Sequence, residues 1–125
     1  GNNILHLWIK LYIKNIFLMN NQLTEKIHNY CDYVITGKPV ANLLIQNRYI
    51  NEAKNLISGE YNLKTFIEPL AENWSILWIF KKGFMLEIIK ALPDKPNSVF
   101  DHWVLGKAFG YTDEAIEEFL LNSSK

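Results

Sequence analysis

No disulfide bond can form within this chain, because Cys31 is the only cysteine among its 125 residues. A chain without paired cysteines is typical of a reducing compartment, so we expect a cytoplasmic protein. An excess of one sign of charge is also lacking: Lys and Arg number 13, Asp and Glu number 13, and Arg48 is the only arginine. With a formal net charge of zero, no overall field draws the chain to nucleic acid or to an anionic lipid surface.

The sequence also lacks a hydrophobic run long enough to cross a membrane. Residues 1–18, GNNILHLWIKLYIKNIFL, are mostly apolar. About 16 of these residues as a helix reach roughly 24 Å, which is short of a hydrocarbon core of ~30 Å. Lys10 and Lys14 would each cost about 2.5–3.5 kcal/mol near the bilayer centre. We therefore expect no membrane span. A signal peptide is not expected either, because the charges lie within the apolar stretch and no typical cleavage site follows it.

The pattern that residues 1–18 do have is amphipathic. On a helix, the four polar side chains of Asn3, His6, Lys10 and Lys14 fall within an arc of about 80°, and nearly all others are apolar. A helix that is apolar on most sides needs a partner. We expect residues 4–18 to form a self-association surface, and so a possible homodimer, through Trp8, Leu11, Tyr12 and Ile16. The alternative is that the protein starts at Met19 and that residues 1–18 are an over-long gene start.

Composition and length predict a single folded domain over residues 1–125, since 49% of the residues are hydrophobic and four are Trp. Helical spacing of apolar residues dominates the first half of the chain. One face of a first helix is formed by Leu23, Ile27, Tyr30, Cys31 and Val34. Two further helical stripes lie at residues 40–44 and 50–57, with a break near residues 46–48, and Gly59 is expected to end the second.

Residues 65–92 allow two interpretations. Thr65 and Glu68 form a capping-box pattern, which predicts a helix whose apolar stripe is Phe66, Leu70, Trp74, Leu77 and Trp78. The alternative is a hairpin of residues 74–80 and 84–90 around Lys82 and Gly83. Neither run alternates apolar with polar residues, so we prefer helices.

The C-terminal part resembles a helix-turn-helix in its spacing. Ser98 caps one helix, Gly110 ends it and Thr112 caps the next, while the small Gly106 allows the two helices to approach. With the preceding elements, this predicts an all-α protein: a compact bundle of about six short helices with a helix-turn-helix-like corner at the C-terminus.

The charge of that corner argues against nucleic acid as a partner. At ~8 Å from phosphates, four carboxylates oppose docking by roughly 2 kcal/mol. These carboxylates belong to Asp113, Glu114, Glu117 and Glu118, and with Tyr111 they are our expected surface for a protein partner. A nucleic-acid-binding regulator is the alternative. It requires a basic patch beside the corner, contributed by Lys10, Lys14, Lys38 or Arg48.

An enzyme with a pocket near His102 and Asp101 is the second alternative. Adjacent residues on a helix point about 100° apart, so Asp101 is poorly placed to orient His102. The sequence has no nucleophile motif and no glycine-rich phosphate loop. His28 and Cys31 are too few ligands for a structural metal. We therefore expect an intracellular, non-enzymatic interaction or regulatory protein with no metal and no cofactor.

Overall fold

The computed structural model describes residues 19–123, and all statements on the fold concern that range. It contains five α-helices, a short 3-10 helix (Asn47–Tyr49) and three strands. In chain order these are α1 (Asn21–Ile35), β1 (Val40–Gln46), α2 (Ile50–Tyr61), β2 (Lys64–Ala71), β3 (Trp74–Phe80), α3 (Met85–Ala91), α4 (Val99–Ala108) and α5 (Asp113–Ser123). The prediction of an all-α bundle is wrong, because the centre of the molecule is a three-stranded sheet.

The strand order in the sheet is β1-β3-β2, and both outer strands run antiparallel to β3. β1 and β2 are therefore parallel to each other, and α2 connects them. Val40 and Lys64 both lie opposite Phe80, which sets the register at one end of the sheet. A register shift in β2 falls between Pro69 and Ala71. Proline is tolerated there because β2 is an edge strand.

The sheet is not apparent from the sequence because most of β3, from Ser75 to Phe80, is covered on both faces. Its sequence, WSILWIF, contains one polar residue, and a strand buried on both sides reads as a continuous apolar run that periodicity does not distinguish from a buried helix. The helix predicted from Thr65 and the alternative hairpin around Lys82 and Gly83 are both wrong. Residues 74–80 do form a strand, but its hairpin partner is β2, and residues 85–91 are helical.

The hairpin turn lies at Glu72 and Asn73 instead. Asn73 adopts a φ of 67°, and asparagine is one of the few residues other than glycine that tolerate this left-handed conformation. Glu68, read from the sequence as part of a helix cap, lies in β2. One of its carboxylate oxygens accepts a 2.9 Å hydrogen bond from the indole N–H of Trp78. The same side chain thus has a cross-strand partner rather than a capping role.

Helices α1 and α2 pack on the first face of the sheet. Alternate strand residues, among them Leu43, Leu77 and Ile79, meet Ile27 and Ile57 in a core where all five side chains are buried. The predicted helical face of α1 is confirmed: Ile27, Cys31 and Val34 are buried. The stripe predicted at residues 40–44 is a strand. The break predicted near residues 46–48 is confirmed by the 3-10 helix, and α2 passes Gly59 to end at Tyr61, where Asn62 adopts a left-handed cap.

The second face of the sheet is only partly covered. Val40, Trp78 and Phe80 pack against Met85 of α3 and Ala108 of α4. Towards the other end of the sheet, large apolar side chains are exposed, among them those of Leu44, Leu70 and Trp74. The C-terminal helices therefore cover the end of the sheet at which Val40 and Phe80 pair.

None of the helices in the described part of the chain is both long and apolar enough to cross a bilayer. Residues 1–18 lie outside the described range. The self-association surface expected at Trp8, Leu11, Tyr12 and Ile16 therefore stays a prediction.

Candidate functional site

The C-terminal corner is formed where α4 and α5 pack closely against each other. A Cβ atom placed on Gly106 would lie 2.6 Å from Cγ1 and 2.7 Å from Cδ1 of Ile116, so the helix contact depends on glycine at this position. Gly110 has a φ of +82°, which favours glycine, and the next residue, Tyr111, donates its N–H to the carbonyl of Gly106 at 2.9 Å. The predicted caps are present: Ser98 accepts from the Asp101 N–H, and Thr112 from the Ala115 N–H.

An apolar groove runs along this corner, with a cavity of about 470 Å³. We call it the corner groove, and its lining consists of Pro96, His102, Leu105, Gly106, Phe109, Tyr111, Ala115, Ile116 and Phe119. The phenyl ring of Phe119 lies 5.4 Å from the imidazole of His102 and is 55% exposed. Tyr111 is 56% exposed. Only His102 and Tyr111 bring polar side-chain atoms to this otherwise apolar lining.

A row of carboxylates lies beside the apolar lining on α5. Glu114 and Glu118 are four residues apart, and so are Ala115 and Phe119, so the two rows run side by side along the helix. We call Glu114, Glu117 and Glu118 the acidic rim. All three are exposed, and within residues 19–123 none of them has a cation within 4.0 Å.

Asp113 differs from the other predicted acidic residues because it has an internal partner. Its carboxylate lies 2.5 Å from the Lys107 ammonium, and this contact lowers the pKa of Asp113 from its ordinary value. Asp113 also stands in the first turn of α5, where a negative charge is favoured by the helix dipole. Because Asp113 pairs with Lys107 within the corner, we do not include it in the acidic rim.

One of the cations required for a nucleic-acid site lies at the corner. The Lys38 side chain packs against Gly110, and its ammonium lies 4.7 Å from the ring centre of Tyr33 and 5.6 Å from that of Tyr111. Arg48 stacks instead on Tyr49, which belongs to the core of the first face. Lys10 and Lys14 lie outside the described residues. Lys38 thus stands near the corner with its charge over two tyrosine rings.

Of the two residues of the suggested enzyme site, Asp101 takes part in a helix cap and His102 lines the corner groove. The Asp101 carboxylate accepts the Asn97 N–H at 3.2 Å, and Ser98 accepts the Asp101 N–H at 3.1 Å. His102 lines the corner groove, where its ring packs against Phe119. The arrangement brings one imidazole to the groove without a carboxylate directed to it.

His28 contacts Tyr61, and Cys31 is buried in the core. The Nδ1 atom of His28 lies 2.5 Å from the Tyr61 hydroxyl. Burial, followed by the charges of Asp32 and Glu60, raises the pKa of the Cys31 thiol to about 12. Burial is also the main cause of the raised pKa of Tyr61. No group of three or more metal-binding side chains is present in the described part of the chain.

A second cavity, of about 420 Å³, was not anticipated from the sequence. It lies between the second face of the sheet and the loop from α3 to α4, and Asn42, Glu68, Trp78 and Lys90 are among its lining residues. These residues come from β1, β2, β3 and α3, so their proximity depends on the sheet that the helical interpretation excluded.

Comparisons of the chain with protein-family models, with curated proteins and with solved structures find no match.

Proposed function

We propose that this protein is a non-enzymatic interaction module of the cytoplasm, and that the corner groove with its acidic rim binds an amphipathic, lysine-bearing segment of a protein partner. The observation that carries the proposal is the pairing of an exposed apolar groove with an adjacent row of exposed carboxylates on α5. A helix laid into an apolar groove is a common mode of peptide binding. A reducing compartment is part of the proposal because the chain has one cysteine, Cys31, and that residue is buried.

The apolar and charged parts of the surface have different roles in the proposal. Phe119 and Tyr111 supply aromatic area, which is the main source of affinity in most interfaces. Glu114 and Glu118 select lysine or arginine on the partner, and their contribution is one of specificity and association rate. The same carboxylates repel a polynucleotide, which is why a protein partner is preferred to nucleic acid.

The test is a calorimetric titration with designed peptides. One is an 18-residue amphipathic peptide of leucine, alanine and lysine, and its counterpart has glutamate in place of every lysine. We expect the lysine peptide to bind and the glutamate peptide not to bind. Phe119→Ala should weaken binding roughly tenfold, because the peptide would bury the exposed half of the Phe119 side chain, which is worth about 1.4 kcal/mol.

Two matched control variants distinguish specific binding in the groove from nonspecific binding to the protein surface. Val99→Ala truncates a comparably exposed side chain of α4 that does not line the groove, and it should leave the affinity unchanged. Glu114→Gln with Glu118→Gln should weaken binding, whereas Glu87→Gln on α3 should not. The proposal is wrong if neither peptide binds, or if Val99→Ala weakens binding as much as Phe119→Ala.

A further inference from the structure

We infer that the corner groove of one molecule binds residues 4–18 of a second copy of the same chain. This inference rests on the proposed function of the groove and names its occupant. The first supporting observation is charge complementarity. Lys10 and Lys14 are the only charged side chains in residues 1–18, and the exposed groove lies beside carboxylates.

The spacing of the charges also matches. Lys10 and Lys14 are four residues apart, and so are Glu114 and Glu118 on α5. On two helices packed side by side, charges repeated every turn can form two ion pairs at once. Ile9 and Ile13 precede Lys10 and Lys14, and Ala115 and Phe119 follow Glu114 and Glu118. An apolar row therefore adjoins the charged row in both sequences. The segment and the corner are thus complementary in both apolar surface and charge.

The position of Met19 explains why a second copy is the occupant. Met19 is buried in the core on the first face of the sheet, and its backbone N–H donates to a carboxylate oxygen of Glu52 at 3.0 Å. The corner lies on the other side, where Ala108 and Phe109 pack with Trp78 of the second face. If residues 4–18 form the helix expected from the sequence, that helix spans roughly 22 Å from Met19, and no further residues remain as a linker around the sheet. The groove of another molecule needs no such linker.

The test uses the full chain and charge-reversal variants in sedimentation experiments. We expect the wild-type protein to dimerise at tens of micromolar. Lys10→Glu with Lys14→Glu should weaken association about tenfold, and Glu114→Lys with Glu118→Lys should do the same. An equimolar mixture of these two double variants should restore association, because the acidic segment of one then meets the basic groove of the other, and the reverse. Lys81→Glu with Lys82→Glu, an exposed pair before α3, is the matched control and should leave dimerisation unchanged.

Each other outcome overturns the inference in a defined way. A wild-type monomer that still binds the designed lysine peptide retains the proposed function but excludes a second copy as occupant. A monomer that binds no peptide excludes both. Both double variants could instead be monomers of lowered thermal stability. If a variant that combines all four substitutions then regains the wild-type stability, the segment occupies the groove of its own molecule. Dimers that are insensitive to both reversals use a different surface.

Discussion

Replacing Gly106 with alanine tests how closely α4 and α5 approach. The new Cβ would lie 2.6 and 2.7 Å from two atoms of Ile116, about 1 Å inside the best carbon–carbon separation of ~3.5–4.0 Å. Overpacking of this kind costs about 1–3 kcal/mol. Alanine is also a better helix former than glycine by about 1 kcal/mol. The two effects oppose each other, so Gly106→Ala should lower the free energy of unfolding by about 1 kcal/mol.

The sign of the effect should reverse when Ile116 is shortened. Ile116 is buried, so Ile116→Ala alone should cost about 2–5 kcal/mol. In that background the two clashing atoms are absent, and Gly106→Ala should then raise the free energy of unfolding by about 1 kcal/mol. The coupling between the two substitutions is therefore about 2 kcal/mol, which is within the range for residues in contact.

Urea denaturation followed by circular dichroism measures all four proteins of this cycle, and Gly59→Ala is the control. Gly59 is also helical, but nothing lies within 4 Å of its added Cβ, so this substitution should stabilise the protein by about 0.5–1 kcal/mol. The reasoning is refuted if Gly106→Ala stabilises the wild-type protein as much as Gly59→Ala does. It is also refuted if the effect of Gly106→Ala is the same with Ile116 and with alanine at position 116.

Two further predictions concern the loop at the corner and the buried thiol. Gly110→Ala should lower the free energy of unfolding by about 1–2 kcal/mol, because the φ of +82° is strained for a residue with a Cβ. Most of this loss should persist in a Lys38→Ala background, and urea denaturation that shows full recovery there would point to side-chain crowding as the cause. Cys31, whose pKa is about 12 against an ordinary 9.0, should react with iodoacetamide at pH 8 about a thousandfold more slowly than in the unfolded chain. Because this pKa is raised, the contribution of the thiol to stability is complete below pH 9 and falls as the pH rises towards 12. Labelling of the folded protein within tenfold of the unfolded rate would contradict the buried position of Cys31.

Much of the candidate site could be derived from local sequence. Ser98, Gly110 and Thr112 act through neighbours a few residues away, so their roles follow from capping and turn chemistry. Gly106 acts through Ile116 of the next helix, and the spacing of a helix-turn-helix predicts that close approach. Glu114, Glu117 and Glu118 could be placed on one exposed side of α5 from spacing alone. The ion pair of Asp113 with Lys107 could not be assigned in this way, since it joins two helices.

The sheet and everything that depends on it required the tertiary structure. Whether the apolar run of residues 74–80 becomes a strand depends on its two neighbours, and its hydrogen-bond partners lie as far away in the sequence as Val40. The side chains of Trp78 and Leu77 are buried on opposite faces, which removes the alternation that would have identified a strand.

Within residues 21–35 and 99–123, the points where the helices begin, turn and end were therefore determined by the local sequence. Capping and helical periodicity act over three to four residues, so residues 21–35 and 99–123 carried enough information without the rest of the molecule. The tertiary structure decided which segments pair as strands and which side chains enclose the corner groove. These depend on contacts between residues far apart in the chain, such as Lys38 with Gly110, and no local pattern encodes which distant surface will cover an apolar run.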